Sequence, residues 1–390
     1  MSRFLLPTTL IASVLAWHAH ADTFTASQLG YDNAILNQFN LVNLGNYTTQ
    51  NETEGRMVIG GNATVNGTTN VCFNGCTGGN IATSVDATGQ KYGALTVFGD
   101  LLGSYNVMNG GDIDVGGTTS DSKQNPNTFN LNSKGAFNVG GSSKYTTVQA
   151  PTAVRTAQSK FQGTIQNANG VAAQTGIAAA FPFTSFANTF STPLAALAKG
   201  IAALPGSPNV HSEALPFGNN VFFTAHNDLT MNGKSYGVVT TTLADLAGEQ
   251  NFGGINNNGN AATFVIVAGD GANYTLPNLN SYQTSSKVIF DFVDATTLRF
   301  GGAWSGSILA PLATITQQGG VLDGSVVAAA ISQTNELHQD ALFNGDLTGL
   351  AGLTFGVVAG ASAVPEPASL ALLAGAAALA LVGHRRRRRR

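Results

Sequence analysis

The sequence predicts a mainly β protein wound as a β-helix, or solenoid. A helical insert lies on its flank, an export signal precedes it and a single helix ends the chain. Three observations predict this. Short apolar runs recur along the body and each stops at a Gly/Asn turn. One central stretch switches to helical spacing. Both termini carry apolar segments flanked by basic residues.

Composition sets the bounds. Of 390 residues, 10% are charged and 43% are hydrophobic, against a typical charged share of about 25%. Glycine occurs 47 times. Recurrent Val, Ile and Phe runs supply burial that offsets chain entropy, so the pattern reads as short strands with tight turns rather than disorder. Setting aside Arg3 and the six terminal arginines leaves 11 Lys+Arg against 21 Asp+Glu. Such an acidic body argues against nucleic-acid binding by phosphate neutralisation.

The first 21 residues read as a secretory signal peptide. Arg3 supplies a basic start, Phe4 to Trp17 an apolar core, and Ala19 and Ala21 small residues before a cleavage site ahead of Asp22. The body then runs over 22–360. Met57-Val58-Ile59, Leu95-Thr96-Val97-Phe98 and Ala136-Phe137-Asn138-Val139 are strands in similar stretches, each followed by Gly-Gly, Gly-Asp or Asn-Gly. Irregular repeats of strand and Gly/Asn corner fit a degenerate solenoid, and a β-sandwich shares much of the signal. In "VCFNGCTGG", Cys72 and Cys76 flank the turn formers Asn74-Gly75. In an exported chain a disulfide is the expected state.

From about 150 to 204 the strands are expected to give way to helix. "AVRTAQSKFQGTIQNANG" is helix-compatible. Phe183, Phe186 and Phe190 fall at helical spacing, and Thr192 before Pro193 reads as an N-cap with first-turn proline. Leu194, Leu197, Ile201 and Leu204 share one face, and Pro205-Gly206 ends the helix. Strands then return at Val221 to Thr224, Thr263 to Val267, Ser307 to Ala310, Ala313 to Thr316 and Gly324 to Ala329. The terminal strands of the body are expected to lie near each other.

Several stretches in order resemble the choice-of-anchor A family: "TEGRMVIGGNATV" at Thr53, "DATTLRF" at Asp294, "WSGSILAPLATIT" at Trp304, "GVLDGSVVAAAI" at Gly320 and "NELHQDALFNGDL" at Asn335. The resemblance spans nearly the whole body. It implies a bacterial surface domain with an adhesive role and a β-helix flanked by a long helix, similar to ice-binding proteins. It supplies no catalytic residues, and the Cys72–Cys76 stretch lies outside its motifs.

The tail segment covers 361–390, and "VPEPASLALLAGAAALALVGHRRRRRR" runs within it from Val364 to Arg390. Its apolar segment at 368–384 is a marginal membrane span, short of the ~20 residues a typical span needs. Arg385, Arg386, Arg387, Arg388, Arg389 and Arg390 form a cytoplasmic stop that leaves the body outside. Pro365-Glu366-Pro367, the apolar helix and the basic cluster together resemble a PEP-CTERM sorting signal. That resemblance implies an inner-membrane exosortase as partner, cleavage there, and a Gram-negative cell surface or extracellular matrix as destination.

Chemical motifs are sparse. The histidines of the body are His211, His226 and His338, with His384 in the tail. Glu336 and His338 stand two apart, which on a strand puts both on one face as half a metal site, an acid/base pair or a surface hydrogen-bonded pair. The last is the favoured reading, closing the final coil. Asp112 with Asp114, and Asp291 with Asp294, are the carboxylate pairs a sugar-cleaving solenoid would need. Neither has a basic cluster beside it. "NGGDIDVGG" is one imperfect copy of a Gly/Asp calcium turn, so structural Ca²⁺ is the single cofactor candidate. No GxxxxGK[ST] or G-x-S-x-G occurs. The expected function is non-enzymatic: an exported adhesive or structural protein meeting polysaccharide or other surface proteins. A carbohydrate-active enzyme and an ice-binding protein are the alternatives. The latter needs a flat threonine array, where the sequence shows scattered threonines such as Thr240-Thr241-Thr242.

Overall fold

The computed structural model describes residues 22–73, 76, 92–119, 126–183, 185–204, 211–212, 222–248, 251–252, 254–279 and 285–355. The signal peptide, the sorting segment with Pro365, Glu366, Pro367 and Arg385 to Arg390, the turn Asn74-Gly75 and Pro205-Gly206 lie outside the described residues. Among the described residues, no helix is long and apolar enough to cross a membrane.

The body is a parallel solenoid with three walls, which sets aside the sandwich. Its first wall runs from Ala173–Gln174 through Ala153–Thr156, Ala136–Val139, Ile113–Val115, Leu95–Val97 and Arg56–Ile59 to Phe39–Asn43. It continues through Val326–Gln333, Ser307–Gln317, Val288–Asp291 and Ala262–Ala268 to Lys234–Thr242. Spatial order therefore departs from chain order. Phe39–Asn43, the earliest strand of this wall in the chain, sits in its middle. One run of coils steps outward from it to Gln174. A second run starts at the far end and steps back. The two meet at a seam where Leu41, Val42 and Asn43 face Val326, Val327 and Ala328. Nearby, the terminal strands Asp22–Thr23 and Thr354–Phe355 pair antiparallel, as expected.

Alternation puts one set of side chains inside every wall. Leu41, Met57, Leu95, Ile113, Phe137, Val154, Val265, Phe290 and Ile308 fill the solenoid interior. The glycine pairs turn its corners. Gly61, Gly99 and Gly117 each donate a backbone N–H to the corner glycine of the coil before, Gly45, Gly61 and Gly99, at 2.9–3.0 Å. A Cβ on Gly141 would fall 2.3 Å from the carbonyl oxygen of Gly117. The repeated Gly-Gly is thus the cost of stacking bare backbone on bare backbone.

Helices cover the outside of the first wall around the seam. Helix α1 spans Ala26–Gln38, capped by Thr25, whose Oγ1 accepts the Gln28 N–H at 3.0 Å. Helix α2 spans Thr192–Ala202 and buries Leu194, Leu197 and Ile201, as their spacing predicts; Leu204, just past its end, is buried as well. Both pack on the outward Val42, Val58, Phe264, Ile289, Leu309 and Val327. Gly200 lets α2 approach closely, since a Cβ there would meet the Phe24 ring at 2.0 Å.

Three expectations are corrected. The insert expected at 150–204 starts late, because Ala153–Thr156, Thr164–Gln166 and Ala173–Gln174 add further coils. Val154 and Thr156 point inward while Arg155 points out, a period of two hidden among small polar residues. Thr192 is no N-cap: it is helical, and a π-type turn at Ala187–Ser191 leads into α2. Ser185 Oγ accepts the Asn188 N–H instead, at 3.2 Å. Ser307 to Ala310 and Ala313 to Thr316 are one bent strand, Ser307–Gln317, whose register breaks at the corner between two walls.

Gly141→Ala should lower stability by about 1–3 kcal/mol, the usual cost of overpacking, read as a drop in the thermal midpoint. Leu197→Ala should lower it by about 2–5 kcal/mol by opening a cavity under α2.

Candidate functional site

The seam gathers the one histidine cluster among the described residues. Leu337–His338 is the last strand of the third wall, beside Leu322–Asp323 on one side and Thr53 on the other. Register therefore stacks Asp323, His338 and Glu54 along the solenoid axis. His338 Nε2 lies 2.9 Å from Glu336 Oε2 and 3.9 Å from Glu54 Oε1. Glu54 Oε2 accepts the Gln339 N–H at 3.1 Å, and Asp323 Oδ1 accepts the Ala341 N–H at 2.9 Å. Burial pulls the His338 pKa down, but the Glu336 hydrogen bond and the charges of Glu54, Glu336 and Asp323 outweigh it, and the net shift is upward. Burial pushes Glu54 and Asp323 up.

Glu336 and His338 are thus the hydrogen-bonded pair that closes the last coil. Glu54 and Asp323 were not foreseen beside them, because only the register of distant coils brings them there. Among the described residues, no group of three or more His, Cys, Asp and Glu is arranged to hold a metal ion.

The carboxylates of the first pair hold neighbouring coils together. Asp112 Oδ1 accepts the Ala136 N–H at 2.7 Å. Asp114 accepts from Asn138 Nδ2 at 2.8 Å and from the Gly93 N–H at 3.2 Å. Burial raises its pKa to about 7. Its oxygens serve a polar ladder, Thr96, Asp114, Asn138 and Arg155, that extends the first wall beyond the helices. Asp291 is fully buried, makes no hydrogen bond among the described residues and has its pKa raised well above normal by burial. Asp294 adds to that shift. A carboxyl sealed in this way reaches no substrate. Cys72 and Cys76 are joined by a disulfide, with both residues buried against the solenoid core.

The threonines are less scattered than they read. On the second wall Arg299, Thr316, Ser332, Thr48 and Thr64 stand in one register row. All point outward from the strands that carry them. Thr240-Thr241-Thr242 contributes nothing to it, since Thr241 is buried and Thr242 caps the helix Leu243–Ala247.

A family model described as "Putative Ice-binding-like adhesive domain" matches residues 32–339. The chain belongs to that family. No curated protein and no solved structure matches it. The adhesive domain, as matched, begins inside α1 and ends one residue past His338, so it takes in both runs of coils and the seam. Membership suggests a surface or adhesive protein, outside or on the cell, rather than an enzyme. The geometry is consistent with a surface or adhesive role in one respect: the adhesive domain presents long polar walls.

Two pH effects follow. His338 has a raised folded pKa, so its contribution is complete below the unfolded value of about 6.5 and is lost as pH rises through the folded value. The wild-type advantage in thermal midpoint over His338→Gln should therefore shrink as pH rises from 6 toward 9, each pH taken as an approximate bound. Asp291 also lowers stability as pH rises, but by acquiring a cost rather than losing a gain. Its raised folded pKa costs stability once the unfolded carboxyl ionises, above about 3.9. Asp291→Asn should raise the midpoint at neutral pH, and the gain should fade toward about pH 3.

Proposed function

We propose that this chain is an exported, non-catalytic adhesive or matrix protein of the choice-of-anchor A type. Its body is delivered to the surface of a Gram-negative bacterium through a PEP-CTERM signal. The observation that carries the reading is membership in an adhesive domain family over nearly the whole solenoid. The long, weakly charged polar walls support it, because they offer a rigid platform with hydroxyl and amide groups spaced at the strand repeat of about 4.8 Å. The sequence of the ends supports delivery. A signal peptide over 1–21 starts export, and Pro365-Glu366-Pro367 stands outside the membrane for an exosortase while Arg385 to Arg390 hold the cytoplasmic side. A span this short serves as a temporary hold. Polysaccharide or other surface proteins are the partners this reading requires.

Intact-mass measurement of the surface or secreted form checks delivery. The expected mass lacks residues 1–21 and the arginine-bearing tail. A form that retains Arg385 to Arg390 would mean anchoring without sorting. Deleting the gene should reduce surface attachment or aggregation, and unchanged attachment would count against the adhesive role.

A further inference from the structure

The outward run of coils repeats one triplet on the third wall. Thr68-Thr69-Asn70, Ser104-Tyr105-Asn106, Thr128-Phe129-Asn130, Thr147-Val148-Gln149 and Thr164-Ile165-Gln166 each place a hydroxyl and an amide either side of a core residue. Thr69, Tyr105, Phe129 and Val148 are buried, and Ile165 is half-buried on the last coil. The flanking residues are exposed or half-exposed.

Register turns the triplets into a grid. Asn70 faces Asn106, which faces Asn130, then Gln149, then Gln166. Beside this amide row, Thr68 faces Ser104, and Thr128 faces Thr147, which faces Thr164. Rungs lie about 4.8 Å apart, and the two rows about 6.6 Å apart along each strand.

No strand of the grid carries a charge, whereas Lys134, Lys144 and Lys160 sit in the corners between them. Exposed solenoid walls ordinarily gain solubility from charge, so five neutral rungs in succession are a departure to be explained. The amides begin a ladder of their own near the seam. Asn106 Nδ2 donates to Asn70 Oδ1 at 3.1 Å, and Asn70 Nδ2 to Glu52 Oε2 at 3.0 Å. Further out it stops: the side chains of Thr147, Gln149, Thr164 and Gln166 make no hydrogen bond among the described residues. Those donors and acceptors are open to a ligand.

We infer that this grid binds an extended, uncharged polysaccharide. The inference rests on the adhesive reading above and names its site and ligand class. Each rung offers donor and acceptor capacity on both rows, which matches the neutral hydroxyl groups repeated along a sugar chain. Charge decides between polysaccharides. With 11 Lys+Arg against 21 Asp+Glu outside the two terminal basic segments, the body repels polyanions, and the grid holds no cation to pair with a uronate or sulfate. Many weak contacts along one chain add by multivalency.

The test uses the exported form, Thr147→Ala/Gln149→Ala/Thr164→Ala/Gln166→Ala, and a control pair on the second wall, Thr316→Ala/Ser332→Ala. Binding isotherms are measured on cellulose, chitin and dextran as neutral probes and on alginate as the anionic one. The wild type and the control should bind at least one neutral probe. The grid variant should lose about tenfold or more in affinity with an unchanged thermal midpoint. Equal binding by the grid variant, binding to alginate alone, or no binding to any neutral probe overturns the inference. So does ice-growth inhibition without polysaccharide binding, or self-association that the variant abolishes. Attachment of cells separates this failure from that of the adhesive reading. If cells carrying the variant attach like wild type while the deletion strain does not, only the grid is wrong; if the deletion strain also attaches, the adhesive role falls.

Discussion

Everything in this molecule depends on one parallel strand pairing between residues from opposite ends of the body. Phe39–Asn43 accepts the returning strand Val326–Gln333 on one side while Arg56–Ile59 occupies the other. Around the corner, Tyr47–Thr49 does the same between residues 331–333 and Ala63–Val71. Without this seam there are two short solenoids, each with an open edge that invites aggregation. With it there is one continuous core. The seam carries its own polar fastening: Gln333 lies between Tyr47 and Thr53 and donates to the Glu52 carbonyl at 2.7 Å, and His338 sits among carboxylates from both runs. Such distant pairing is slow to form. The helices reinforce it, because α1 and α2 bury the outward apolar residues of both runs together.

The local pattern was legible where side-chain alternation is strong. Ala136–Val139 reads directly from its sequence, and Leu194, Leu197 and Ile201 mark the buried face of α2. What escaped depends on partners far away in the chain. Strand Ala153–Thr156 reads as helix-compatible until Phe137 stacks on Val154. Helix α1 has a local signature of its own, Thr25 followed three residues on by Gln28, then Leu29, Ile35 and Leu36. The candidate sites were less legible than the fold. Glu336 and His338 form the pair their spacing implies, but Glu54 and Asp323 join them only through register. The threonine and amide rows look scattered in sequence because consecutive members lie about one coil apart, with corners of unequal length between them.

Charge placement ties stability to function. The third wall of the outward run is neutral and polar, and several carboxyls elsewhere are buried. Asp32 and Asp114 both have pKa values raised by burial to about 7, and Asp291 is raised well above normal. Each lowers stability at neutral pH relative to an isosteric amide. Asp114 repays this by ordering a ladder through Asn138 and Gly93, whereas Asp291 has no hydrogen bond among the described residues to justify it. A rigid coil stack is what makes the outward rows regular, so the same register that closes the core also spaces the hydroxyl and amide groups that an adhesive surface presents.

The seam topology is open to one direct measurement. Thr48 and Ser332 face each other in register across it, both exposed. Parallel neighbours stand about 4.8 Å apart, inside the Cα window of roughly 4.4–6.8 Å for a disulfide. Thr48→Cys/Ser332→Cys should therefore cross-link on mild oxidation in the folded protein, with the loss of two hydrogen atoms by intact mass and protection from alkylation. Thiols that stay reduced and alkylate fully, in a protein that keeps its thermal midpoint, would contradict the meeting of the two runs.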